Sequence, residues 1–330
     1  MLLRLPSKEE LSRQRSFQVL KNYLSAGVSC VESEFGEPCD AQDILQSQRR
    51  LRGFRRIQRR NLHDDAAMKQ ALVLGWTSRL QLGLADYAGS DELLPYANAW
   101  APVHAYYAVY GSVRALQAAR GLELSDHTSA LNAISSEMCK GASVAPFPWR
   151  VGCIGCPHVD DPIQFSDLPT GAAHQKDVQL LGNADPELAW PRLLKALETT
   201  REETLRRRYQ QWCRQKGRKN TFSQEKVSIA GKVPPTTLFD IFWRLRVRAN
   251  YRDAASFVMV TVGTDWHREF LESLTTLAEL SCLIVENLLI QQVGLGPYEK
   301  ALNDFSKWTP TDGPTAFLPR RLELLSERSI

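Results

Sequence analysis

The sequence has no run of about 18 consecutive apolar residues, the length that a membrane-crossing helix needs. Its most apolar stretch, 277–290, is interrupted by Glu279, Glu286 and Asn287, so no membrane partner is expected. The opening residues, MLLRLPSKEE, hold no apolar core, and no secretory leader is expected there. Cysteine is scarce and odd in number, seven in 330 residues. That argues against a disulfide framework and for a reducing cytoplasm. The chain contains no Walker loop, no GxGxxG, no GxSxG and no HExxH. Nucleotide-cofactor, serine-nucleophile and zinc-protease chemistries of the usual kinds are therefore disfavoured. No internal repeat and no series of alternating strands is visible.

Helical periodicity is plentiful, and an all-α fold is expected. Between 97 and 120, Ala97, Trp100, Val103, Tyr107, Tyr110, Val113 and Leu116 recur every three or four residues, with Gly121 as the stop. The small residues Ala105, Ala108 and Gly111 on this helix suit close packing. A second helix is expected after Ser125 or Asp126, either of which suits the cap. Further helices are expected at 190–216, stopped by Gly217, at 237–248, where Thr237 and Asp240 have capping-box spacing, and at 265–293, ended by Gly294. Between 139 and 173, five of the 17 prolines and four glycines collect, which reads as irregular backbone. Residues 217–235 read as a polar linker.

The net charge of +4 hides a strong segregation. Arg49, Arg50, Arg52, Arg55, Arg56, Arg59 and Arg60 fall in twelve residues without one acid. Residues 192–219, with Arg206, Arg207 and Arg208 at their centre, carry +7, and 244–252, with Arg244, Arg246, Arg248 and Arg252, carry +4. These segments hold +18, so the remainder holds −14. Clustered arginine suits phosphate contacts through its planar fork of donors. A solvated face, or pairing with the acids of 265–293 or of a partner chain, is the alternative.

Within CIGCPH, Cys153, Cys156 and His158 have spacing that lets two thiolates and an imidazole approach one tetrahedral ion, with Cys139 the nearest fourth ligand. Structural zinc and ordinary thiols both fit this pattern.

The segment AWAPVHAYYAVYGSVRALQAARGLELSDHTSALNAIS (99–135) resembles the aromatic helix, loop, histidine and second helix of the HEPN superfamily. The matching residues are Ala105, Tyr106, Tyr107, Ala108, Tyr110, Arg114, Ala115, Leu116, Gly121 and His127. WRLRVRANYRDAASFV (243–258) is similar to a later stretch of some members. The resemblance covers about a third of the chain. It implies a helical bundle of four or five helices, often a two-fold homodimer, and a role in bacterial defence or toxin–antitoxin systems as RNase, toxin or silent binding partner. RNase members pair an Arg with a His four to six residues later, as phosphate stabiliser and acid or base. Here no His follows Arg246 or Arg248; Asn250, Tyr251 and Arg252 stand there instead. Arg56 with His63 and Arg120 with His127 fit the bare spacing, but both read as accidental.

On this reading the bundle is 91–138 with 236–297. Residues 1–90 are a basic N-terminal helical extension, 139–235 an insertion and 298–330 a tail with a short helix near 322–325. The expected function is nucleic-acid binding, RNA first, or a non-catalytic subunit acting with a protein partner from the same operon. The arginines expected to bind are Arg49, Arg50, Arg52, Arg55, Arg56, Arg59, Arg60, Arg206, Arg207, Arg208, Arg244 and Arg252. One alternative is an interaction adaptor stapled by zinc. The other is a metal-independent endoribonuclease with a rearranged site drawn from Arg246, Arg248, His104 and Tyr251. Tyr251 is a weak base at an ordinary phenol pKa of about 10.

Overall fold

The computed structural model describes residues 7–87, 91–122, 126–141, 143–157, 161–183, 185–252, 257, 260, 262–309 and 317–326. The chain is predominantly helical, with one two-stranded hairpin. Its helices are α1 (Lys8–Phe35), α2 (Ala41–Arg50), α3 (Arg52–Arg55), α4 (Asp65–Tyr87), α5 (Leu94–Ala119), α6 (His127–Met138), α7 (Ala189–Lys216), α8 (Ser223–Gly231), α9 (Leu238–Val247), α10 (Thr264–Val293), α11 (Leu295–Ser306) and α12 (Phe317–Ser326).

Local signals set several ends. Asp126 caps α6 by accepting from the Ser129 amide, Gly217 closes α7 in the left-handed region at φ 63°, and Thr237 with Asp240 forms the capping box of α9. The π-helical turn Arg248–Arg252 then diverts the chain. The cap of α10 is Gly263.

α10 is the central rod. Phe270, Leu274, Leu277, Ile284 and Leu288 are all fully buried, and so are residues on its other faces. A helix that is apolar all round belongs inside a core. It passes the length and hydropathy test of a membrane span (mean hydropathy 1.5), but 78% of that window is buried against its neighbours. α5 lies beside it and α4 lies against α5. There the backbones meet: a Cβ on Gly111 would lie 2.5 Å from the Gly75 Cα. α1 packs on α10 and α7 through Phe17, Leu20 and Leu24.

Three expected boundaries are corrected. The 1–90 segment is no extension, since Phe17, Leu45, Phe54, Met68, Leu72 and Trp76 belong to the same core as α5 and α10. The 139–235 segment is no detached insertion, because Leu193, Leu194 and Leu197 of α7 enter that core too. It also contains α8 and an antiparallel hairpin, β1 (Gly152–Cys156) and β2 (Asp161–Ser166), in place of wholly irregular backbone. The strands escape periodicity because a bulge at Gly155 (φ 88°) breaks their alternation. Thirdly, 298–330 is no loose tail: Tyr298, Leu302, Leu318 and Leu325 are buried. A satellite cluster of Cys156, Leu205, Tyr209 and Ala230 ties the hairpin to α7 and α8.

Beneath the surface, α12 is pinned by charge. Arg321 donates to Glu286 at 2.7 Å and bridges to Glu279, which also takes Arg79 at 2.7 Å. Glu286 further accepts from Ser112 at 2.7 Å and Tyr298 at 2.6 Å. Burial pushes the Glu279 carboxyl up, but Arg321 and Arg79 outweigh it and hold the group below the usual carboxylate range.

Candidate functional site

α5 is buried around most of its circumference. One stripe stays open along it: Tyr96 and Trp100, 65% and 60% exposed, then the half-buried His104, Tyr107, Tyr110 and Arg114. Steps of three and four residues keep these side chains on one face. α6 begins beside this stripe and brings in His127, while the last turn of α9 brings in Arg246.

The three elements build one cluster. The Tyr106 hydroxyl lies 2.7 Å from His127 Nδ1. The His127 ring leans on Tyr110 at 4.4 Å between centroids and meets Tyr107 edge-on at 5.9 Å. Arg246 sits 5.2 Å from the ring centres of both Tyr106 and Tyr107 and donates from Nη2 to the Tyr107 hydroxyl at 3.1 Å. Its Nε is buried and has no hydrogen-bond partner among the described residues.

Electrostatics follow from this packing. Burial, then the Arg246 charge, holds His127 below the usual imidazole value, so the ring is neutral at pH 7. Burial pushes the Tyr106 phenol far above its usual range. A protonated Tyr106 that donates to Nδ1 places the His127 proton on Nε2. Tyr106 is fully buried beneath the cluster, and the half-buried Tyr107, Tyr110, His127 and Arg246 bring aromatic rings, an imidazole and a guanidinium to the surface.

Of the residues expected in a site, Arg246 lies in this cluster, whereas His104 is three residues from Tyr107 on the α5 stripe and makes no hydrogen bond with Arg246. His127, paired with Arg120 by bare spacing, shares Tyr106 and Tyr107 with Arg246. Arg120 is engaged elsewhere, donating to Glu137 at 2.6 and 2.7 Å and to Gln292 at 2.7 Å. The signal for His127 was its recurrence in the aromatic-helix resemblance; linear spacing concealed its partner 119 positions away. Arg248 lies half-buried in the π-helical turn. Tyr251 and Arg252 have described backbone in that turn, but their side chains lie outside the described residues, as does all of His158.

The arginines divide. Arg50, Arg52, Arg55, Arg56, Arg59 and Arg60 are exposed on α2, α3 and the following coil, and none has an ion pair among the described residues. Arg55 and Arg59 line a groove of about 710 Å³ beside Gly294 and Gly296. Arg49 is corrected to a structural role, donating to Asn287 Oδ1 and to the Leu324 and Leu325 carbonyls. Arg244 is likewise structural: it is 4% exposed and pairs with Glu203 at 3.0 Å. Arg206 is exposed, Arg208 half-buried, and Arg207 lies 4.0 Å over the Trp243 ring. Among the described residues the acids of α10 pair elsewhere: Glu269 with Lys21, Glu279 with Arg79 and Arg321, and Glu286 with Arg321.

Of the expected metal set, Cys139, Cys153 and Cys156 are among the described residues. Cys153 is in the main core and Cys156 in the satellite cluster, 3.0 Å from the Tyr209 hydroxyl. Cys139 packs over Gly152. Burial pushes the Cys139 thiol up to about 11 and the Cys153 thiol up to about 12. Among the described residues, no group of three or more His, Cys, Asp or Glu side chains is placed to hold a metal ion.

Compared with family models, curated proteins and solved structures, the chain matches none.

Proposed function

We propose that this protein binds RNA, with the Tyr106–Tyr107–Tyr110–His127–Arg246 cluster as its recognition site and the α2–α3 arginines as a second phosphate-binding surface. The observation that carries this reading is the six exposed arginines of 50–60, which have no ion pair among the described residues. A merely solvated helix ordinarily intersperses acids with such a run, and this one does not. The aromatic–guanidinium cluster supports the same reading, because base stacking and cation–π contact use those groups. A HEPN-like, non-catalytic role in bacterial defence or a toxin–antitoxin system fits this chemistry. Titration of a fluorescent single-stranded RNA at rising salt tests it. The affinity should fall linearly on log–log axes, and each arginine removed from 50–60 should reduce the slope by about 0.7. Salt-independent binding, or none, overturns it.

A second reading, a metal-independent endoribonuclease, is favoured by one observation: His127 and Arg246 flank the same tyrosine. In it His127 replaces His104 as acid or base, and Arg246 steadies the phosphate. Cleavage of RNA in EDTA by the native protein, lost in both His127→Ala and Arg246→Ala, supports it. Equal cleavage by all three proteins points to a contaminant and rejects it.

A further inference from the structure

A groove begins one residue past His127. Thr128 lines a cavity of about 180 Å³ between α6, α7 and α9. A larger one of about 620 Å³ continues between α6, α7 and α8. The two share Asn132, Arg208, Gln211 and Val233 as walls, so they adjoin, and the pair is termed the channel. Trp243 lines the smaller cavity, on which Thr128 also borders, and Trp212 lines the larger.

The chemistry of the walls is selective. Each tryptophan is half-buried and carries an arginine over its ring, Arg207 on Trp243 at 4.0 Å and Arg218 on Trp212 at 5.6 Å. Side-chain amides of Asn132, Gln211, Gln215 and Gln224 line the space between them. Arg208 faces it without an ion pair among the described residues. Two carboxylates adjoin the channel, and both are compensated by the protein. Glu225 pairs with Arg218 at 2.7 Å and accepts from the Phe222 amide, while Asp240 accepts from the Thr237 amide and from Ser135.

We infer that this channel holds an unpaired RNA strand leading to the His127 cluster, with bases against Trp212 and Trp243 and a phosphate on Arg208. The inference rests on the RNA-binding reading and names the form of RNA. A duplex keeps its base faces stacked inside the helix and cannot offer them to tryptophan; single strands expose both faces and Watson–Crick edges. Amide side chains pair with such edges, and a strand of bases also supplies a flat ring for each tryptophan, which an acidic peptide lacks.

The test uses the full chain and a labelled twelve-nucleotide RNA, single-stranded or annealed to its complement. The native protein should bind the single strand at least tenfold more tightly. Trp212→Ala should weaken single-strand binding about tenfold, within the range measured for loss of one base–aromatic stack, and Trp212→Phe should restore most of it. Arg55→Ala/Arg59→Ala should weaken both forms alike. An unchanged thermal midpoint shows that Trp212→Ala is folded; if it is not, Gln211→Ala supplies the same comparison. Equal binding of both forms by the native protein, with no effect of Trp212→Ala or Gln211→Ala, overturns the channel and leaves the RNA reading standing on the arginines. Binding of polyglutamate but of neither RNA overturns both.

Discussion

Asp240 shows how one residue couples a cap to the environment of the site. It closes the α9 capping box and also borders the channel. Burial pushes its carboxyl up to about 6, outweighing the hydrogen bonds from Thr237 and Ser135. In the unfolded chain the group titrates near 3.9, so between these values the folded state binds more protons. Stability is therefore expected to fall as pH rises toward and through 6. Thermal melts from pH 4 to 8 should show that fall in the native protein and not in Asp240→Asn. Arg246 supports a second expectation. Its position between Tyr106 and Tyr107 uses a flat guanidinium that Lys cannot reproduce. Arg246→Lys should therefore weaken RNA binding severalfold although charge is kept, a result readable by anisotropy. At this scale the sequence is only partly legible. The resemblance brings Arg246 and the tyrosines forward, yet that His127 and Arg246 flank the same tyrosines stays hidden because they come from different helices. Arg49 and Arg244 look like their exposed neighbours because a run of arginines does not show which one turns inward.

At the scale of elements, legibility is greater. α5, α6, α7, α9 and α10 are readable because caps, glycine stops and apolar periodicity agree over ten residues or more. The hairpin and α8 are not: five- and six-residue strands with a bulge, and a nine-residue helix with one buried residue, carry weak patterns. Contact between α4 and α5 yields a sharp expectation. Because a Cβ on Gly111 meets Gly75 backbone atoms rather than a movable side chain, Gly111→Ala should cost about 1–3 kcal/mol in denaturant unfolding. The anchoring of α12 gives another. Arg321→Ala strands Glu286, which is 0% exposed, without its cation, and should cost about 3–5 kcal/mol. Arg321→Met with Glu286→Leu should recover much of that loss.

Across the whole molecule, the core joins Phe17 to Leu325, and domain divisions drawn from composition could not show this. Polarity and proline density describe a segment's surface, not whether its buried face meets a distant helix. The arginine surface depends on that continuity. Gln48 donates to the Ile284 carbonyl, Arg49 to the Leu324 and Leu325 carbonyls, and the Arg60 amide to Gln292. The segment that presents the cations is therefore seated on residues up to 276 positions further along. On the ribosome, at 5–20 residues per second, that interval lasts roughly 15 to 55 s. During it, residues 48–60 are made but have no platform to order them. A nascent or prematurely terminated chain carries every arginine of the 50–60 surface and none of its geometry, so the groove beside Gly294 exists only in a chain whose synthesis has passed α12.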